Sequence, residues 1–182
     1  MNVIDLLALC FGILGVILTI RETIWCWAAA IISVSIQGFV FYKARLFGDF
    51  FLQIFYFISG LYGWIYWNKY KTQEFNISKM SKKNWFLVVL GIIILSFILY
   101  PILKYIKSDK IIFESILTSS SLICTYMMAK KWIENWLLWI LIDLAYVYLY
   151  LVKQLPTYAI LYLFFSVMAF YGFYLWRKKL KK

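Results

Sequence analysis

One carboxylate inside an apolar stretch is the residue in this chain best placed to do chemistry. Asp143 lies in the run Leu141-Ile142-Asp143-Leu144, and at 1.5 Å of rise per residue it stands about 12 Å into a helix that starts near Asn135. An ionisable group at that depth in hydrocarbon is expensive and marks a functional position by default. Trp136, Trp139 and Tyr146 are spaced from it and from one another by three and four residues, which places all four on one helical face. Aromatic rings around a single carboxylate suit a flat organic cation, because the rings stack on the ligand and the carboxylate neutralises its charge. A second reading stands beside this one: Asp143 accepts hydrogen bonds from a neighbouring Tyr or Ser and locks helix packing. Neutral polar groups accompany the carboxylate, Gln37 with Ser33 one turn before it, and Gln53 with Tyr56 on one face of the next apolar run. Ser33 and the run Thr118 to Ser121 also read as small polar residues that mediate helix contact.

Other chemistries find little support. The chain has no histidine, and Cys10, Cys26 and Cys124 are far apart, so metal clusters, disulfide frameworks and histidine catalysis are poorly supported and no cofactor is expected. No Gly-x-x-x-x-Gly-Lys phosphate loop and no series of buried ionisable groups supplies an energy source or a proton relay. Asp49 and Glu134 fall at span ends on opposite sides of the membrane, which argues against one lipid-hydrolysing site. A membrane enzyme and an accessory subunit, the latter pairing Asp143 with a partner's Lys or Arg, remain as alternatives to a transporter.

The elements that must hold these side chains follow from composition. Of 182 residues, 65% are hydrophobic, 22% aromatic and 15% charged, with a mean hydropathy of +0.82. A water-soluble fold cannot hide that much aromatic surface behind so few charges, so lipid is the solvent. Apolar runs at about 3–20, 25–42, 50–67, 85–105, 115–129, 135–151 and 158–176 predict seven transmembrane helices. The first, with Asp5 ahead of it and Arg21-Glu22 after it, is expected to persist as a helix rather than serve as a cleaved signal.

The net charge of +11 sits between the spans. Lys43, Arg45, Lys104, Lys107, Lys110 and Lys153 share the side of the amino terminus. Arg21, Lys69, Lys71, Lys79, Lys82, Lys83, Lys130, Lys131 and the tail Arg177, Lys178, Lys179, Lys181 and Lys182 fall opposite. The positive-inside rule then makes the carboxyl terminus cytoplasmic, and the charge is explained by lipid headgroups without nucleic acid.

An internal repeat organises the spans. Shifting the chain so that Trp27 falls on Trp136 aligns 21–67 with 130–176 without a gap. Tyr62-Gly63 and Trp67 meet Tyr171-Gly172 and Trp176, Leu46 meets Leu155, and Leu52 meets Leu161. The expected architecture is all-α and membrane-integral, with two parallel three-helix repeats joined by a linker helix. Its parts are 1–67, a linker and fourth helix over 68–105, 106–176, and a basic tail 177–182. Parallel repeats are a transporter architecture with substrate held near the midplane. Trp64, Trp67, Trp85, Trp132 and Trp176, at the span ends, are expected to anchor the helices at the lipid–water interface.

Glu134-Asn135-Trp136-Leu137-Leu138-Trp139, the Leu52-Gln53 pair and Tyr62-Gly63-Trp64-x-x-Trp67 resemble the PnuC family of vitamin transporters over about residues 10–176. The resemblance implies a 3+1+3 fold like that of the SWEET sugar transporters but full-length, and a homotrimer. It implies uptake of a vitamin, usually nicotinamide riboside, across the bacterial cytoplasmic (inner) membrane by facilitated diffusion, made one-way by a cytoplasmic kinase. The family's tryptophan pair falls on Trp136 and Trp139 and its glutamine on Gln53. Two positions depart: Asp143 and Ser33 stand where Asn can occur. Relatives carry thiamine or riboflavin, and an ionised Asp143 disfavours neutral riboflavin while leaving nicotinamide riboside and thiamine, both permanently cationic, unresolved.

Overall fold

A computed structural model describes residues 3–43, 45, 47–70, 76–105, 110–154 and 156–180. Lys71, Lys107, Lys181, Lys182 and the Leu46–Leu155 pair lie outside them, as do the side chains of Asp5 and Asp49. Among the described residues, seven helices form where the apolar runs predict them: α1 (Val3–Ile20), α2 (Trp25–Lys43), α3 (Phe47–Lys69), α4 (Lys82–Tyr105), α5 (Ile111–Ala129), α6 (Glu134–Val152) and α7 (Pro156–Leu180). Among the described residues, α2, α4, α5, α6 and α7 are each long and apolar enough to cross a bilayer, and the apolar stretch of α1 is shorter, Leu6–Ile20. α7 opens on Pro156, which fits a first helical position because its missing N–H would have had no partner there.

The chain divides into two packed units, Met1–Asn76 and Ile77–Lys182. In the first, α2 packs on α1 and α3. In the second, α4 packs on α5, α5 on α6 and α6 on α7. In both units, helices that follow one another in sequence are the ones that pack.

The repeat is visible bond by bond in the turns. α1 ends with Glu22 in the left-handed region (φ 58°), and α5 ends with Lys131 there (φ 51°). Glu22 N–H donates to Thr19 C=O (2.9 Å) and Thr23 N–H to Leu18 C=O (3.0 Å). The same two bonds recur from Lys131 to Met128 (3.0 Å) and from Trp132 to Met127 (3.1 Å). This is the Schellman arrangement, which satisfies carbonyls at the end of a helix that have no partner within it. The second turn of each unit repeats too: Arg45 and Gln154, at φ 58° and 57°, donate to Tyr42 and Leu151 C=O at 3.1 Å. Each of these left-handed residues pays a steric cost that glycine would avoid.

The same ring pair closes each hairpin. Trp27 meets Trp67 edge-to-face at 5.6 Å, and Trp136 meets Trp176 edge-to-face at 5.3 Å. The rings need glycine beneath them. A methyl group at Gly172 would lie 2.8 Å from the Trp136 ring, and one at Gly63 would overlap the ring of Trp27. These contacts correct the expectation that Trp67 and Trp176 anchor the interface. Both are buried, Trp176 completely, because their partners on α2 and α6 offer more apolar contact than a headgroup region does.

One feature belongs to the second unit. The segment before α4 runs beside the α5–α6 turn, with Ser78 N–H donating to Lys131 C=O (3.1 Å) and Ile133 N–H to Ser78 C=O (2.9 Å). The Glu134 carboxylate accepts from Met80 N–H at 3.0 Å. Met80 then packs with Val88, Met127, Ile123 and Trp132, so the start of α4 is fastened to the end of α5.

Candidate binding site

In the second unit α6 presents the predicted face. Asp143 is buried at 5% exposure, and Trp139 and Tyr146 flank it, both half-buried. Among the described residues no ion pair or hydrogen bond engages the Asp143 carboxylate. The packing reading, in which Tyr or Ser saturates this group, therefore lacks its donor. Tyr146 begins a column of rings between α6 and α7: it lies 4.7 Å from Tyr162, which lies 5.3 Å from Tyr150, which lies 5.2 Å from Tyr158. The column holds the two helices together from the level of Asp143 to the α6–α7 turn.

Trp136 occupies a different situation from Trp139. It is 2% exposed, pressed between Trp176 and Gly172, and matched in every respect by Trp27 in the first unit. Even its buried indole N–H without an acceptor has its twin in Trp27. A residue whose surroundings are duplicated in the other repeat is explained by the frame the repeats share. Trp139, whose counterpart is Ala30, has no such duplicate.

Just below this face α5 and α6 are fastened by polar contacts. Cys124 Sγ–H donates to Asn135 C=O (3.1 Å), and Asn135 Nδ2 donates to Trp132 C=O (2.6 Å). Ser115, Ser121 and Thr125 turn their hydroxyls onto carbonyls of their own helix, at 2.8 to 2.9 Å. Ser119 does not: it is fully buried and its hydroxyl has no partner. The sequence reading passed over it as one member of a packing run. The signal available was the repeat itself, which sets Ser119 against Cys10.

The first unit brings its predicted residues together in another way. Ser33 on α2 donates to Ala8 C=O of α1 (2.8 Å), and Gln37 Nε2 donates to Ser33 Oγ (3.2 Å). Ser33 is thus both a helix-packing residue and the acceptor that orients Gln37. Gln53 of α3 packs over Gly38, where a methyl group would meet its Cβ at 3.5 Å. That sets Gln53 beside the residue following Gln37, with Tyr56 one turn further along α3 and half-buried.

Comparison with known proteins gives the family and the fold. Residues 2–178 match the family described as nicotinamide mononucleotide transporter. The nicotinamide riboside transporter PnuC of Escherichia coli strain K12 is 22% identical over 193 residues, covering 91% of this chain and 81% of that protein. The protein of the same name from Neisseria mucosa is 23% identical over 186 residues, covering 94% and 70%. A crystal structure of the vitamin B3 transporter PnuC superimposes with a TM-score of 0.78 at 21% identity, covering 98% of this chain and 82% of that one.

Proposed function

This chain belongs to the nicotinamide mononucleotide transporter family, and from that premise we propose that it takes up nicotinamide riboside by facilitated diffusion, trapped inside by cytoplasmic phosphorylation. The coarser statement needs no proposal: it is a multi-pass membrane transporter of a small vitamin, not an enzyme. The finer one rests on a single observation, a buried carboxylate with no protein partner, Asp143, flanked by the half-buried Trp139 and Tyr146. A permanently charged pyridinium supplies the counter-charge that the protein withholds, and the two rings supply stacking surface. Trp136 enters as the wall behind Trp139. Ser33, Gln37, Gln53 and Tyr56 are polar groups that the transported molecule meets along its route. Thiamine, also a permanent aromatic cation, is the second reading, favoured by the same carboxylate.

The proposal extends to setting. The bacterial cytoplasmic (inner) membrane with the carboxyl terminus inside is supported by the excess of Lys and Arg on that side, where anionic lipid headgroups are the partners. A homotrimer rests on the family resemblance. The working parts are proposed as 1–67 and 106–176, with 68–105 as linker and fourth helix and 177–182 as a cytoplasmic tail.

The test is uptake of labelled nicotinamide riboside and of labelled thiamine by the purified protein in liposomes, alongside calorimetric binding of both. Nicotinamide riboside is expected to bind and enter without an imposed ion gradient. Asp143→Asn is expected to weaken its binding at least tenfold, about 1.4 kcal/mol, with thermal stability unchanged. Uptake of neither cation, or an unchanged Kd in the variant, sinks the proposal, and uptake of thiamine alone transfers it to the second reading.

A further inference from the structure

Glu134 opens the string of residues that carries the family resemblance, yet the transport site makes no use of it. Its hydrogen bonding shows another role. Ser78 N–H donates to Lys131 C=O (3.1 Å) and Ile133 N–H to Ser78 C=O (2.9 Å), which is one rung of a parallel ladder. In a continuing ladder the next donor, Met80 N–H, would go to Ile133 C=O. That carbonyl is already taken, because the chain turns into α6 there and Ile133 C=O accepts from Trp136 N–H (3.2 Å). The Glu134 carboxylate stands in for it, accepting from Met80 N–H at 3.0 Å across 54 residues of sequence. A carboxylate in the first turn of a helix is well placed to serve that helix's own unpaired N–H groups. Among the described residues, the one hydrogen bond that Glu134 makes with its side chain goes to the linker instead.

Apolar packing repeats the tie. Met80 is buried and shares one cluster with Val88 and Ile92 of α4, Ile123 and Met127 of α5 and Leu138 of α6. Three helices thus meet in the cluster that contains the residue Glu134 holds, and one of them, α6, carries Trp139 and Asp143. The first unit makes the same turn without such a group. Trp25 stands in Glu134's place, is 63% exposed and sets its ring edge-to-face on Trp64 of α3 at 6.1 Å. The frame shared by the repeats therefore does not need a carboxylate at this position, and Glu134 answers to α4, the helix that the repeat leaves unpaired.

We propose that Glu134 is a positioning residue for transport: by holding Met80 it makes the start of α4, the α5–α6 turn and α6 one body, so that the movement which opens the site to either side carries α4 with it. The inference rests on the transport reading above. Alternating access moves groups of helices as rigid pieces around a fixed site, and a displacement passes from one element to the next through contacts of this kind. Glu134 touches no transported molecule; it acts through Met80 and through the start of α6.

The experiment compares the full chain as wild type, Glu134→Ala, Glu134→Gln and Glu134→Trp, the last taking the residue of the first unit. Uptake of labelled nicotinamide riboside and of labelled thiamine into liposomes gives the maximal rate per folded molecule, calorimetry gives Kd, and hydrogen exchange reads the Met80 amide. In Glu134→Ala and Glu134→Trp the Met80 amide is expected to exchange about tenfold faster and the maximal rate to fall about tenfold, as one hydrogen bond to a charged group is lost, with Kd unchanged. Glu134→Gln keeps an oxygen for Met80 N–H and is expected to restore most of the rate. Should Glu134→Ala fail to fold, Glu134→Trp and Glu134→Gln carry the same comparison. A wild-type maximal rate in a variant whose Met80 amide is loosened overturns the proposal, because the tie is then structural only. A Met80 amide that exchanges as slowly without the carboxylate as with it overturns it too, as does a slow Glu134→Gln whose Met80 amide stays protected, since charge rather than the tie then sets the rate. A Kd that weakens in step with the rate also overturns it, by placing Glu134 at the binding site. If wild type takes up neither cation, the transport reading fails and takes this proposal with it.

Discussion

The α2–α3 hairpin of the first unit and the α6–α7 hairpin of the second are closed by the same two tryptophans over the same glycine, and they diverge a few turns further on. Where the second hairpin continues as a column of tyrosines beside Asp143, the first carries Gln37 and Gln53, with Ser33 bonded to both α1 and Gln37. Duplication supplies two copies of one frame. Residues that stayed alike, Trp27 with Trp136 and Gly63 with Gly172, keep helices at their spacing. Residues that differ between the repeats, Ala30 against Trp139 and Val34 against Asp143, take no part in that shared frame. The comparison thus sorts the candidate residues by physical role without any further sequence.

The sharpest way to break this comparison is to load both glycines. Gly63→Ala and Gly172→Ala each drive a methyl into an indole that has no room to retreat. Overpacking of this kind costs about 1–3 kcal/mol, and the two variants should lower the unfolding temperature by similar amounts in detergent. A large loss for one and none for the other would mean that the frames are not equivalent. Next come the paired tryptophans. Trp136→Phe and Trp27→Phe are each expected to cost about 1–3 kcal/mol of stability, with the affinity of the remaining folded protein little changed. Trp139→Ala should invert the pattern, losing binding about tenfold or more with a smaller effect on unfolding. Calorimetry and melting curves on the same four samples decide it. The smallest effect belongs to Ser33→Ala, which removes one hydrogen bond between α1 and α2. About 1 kcal/mol of stability should go with it, and a change in Kd larger than threefold would show that Gln37 needs Ser33 to meet the ligand.

Much of the fold was legible in the sequence because hydrocarbon imposes a simple pattern. Runs of apolar residues become helices when no water is present to satisfy the backbone, and the helices begin and end within a few residues of the predicted bounds. The turns were not legible, since the left-handed positions are filled by Glu22, Arg45, Lys131 and Gln154 rather than by glycine, and nothing in their chemistry announces the conformation. Trp67 and Trp176 misled for a related reason: position at a span end suggests an interface anchor, and only packing reveals that a ring is turned inward. Asp143 stands out in the sequence because charge in an apolar run is conspicuous. Ser119 was hidden because a serine in a membrane helix ordinarily bonds its own backbone, and the exception shows only when its neighbours' hydroxyls are accounted for.

The pairing of sequence neighbours within each unit also bears on how the protein is made. Apart from the start of α4, which pairs with the later α5–α6 turn, the described helices pack on their neighbours in sequence: α2 finds α1 already in place, α6 finds α5, and α7 finds α6. Contacts of such short sequence separation close fast and cheaply in chain entropy. Each hairpin can therefore settle as it leaves the ribosome, before the following one has been synthesised, so that a chain with this much apolar surface spends little time with it uncovered.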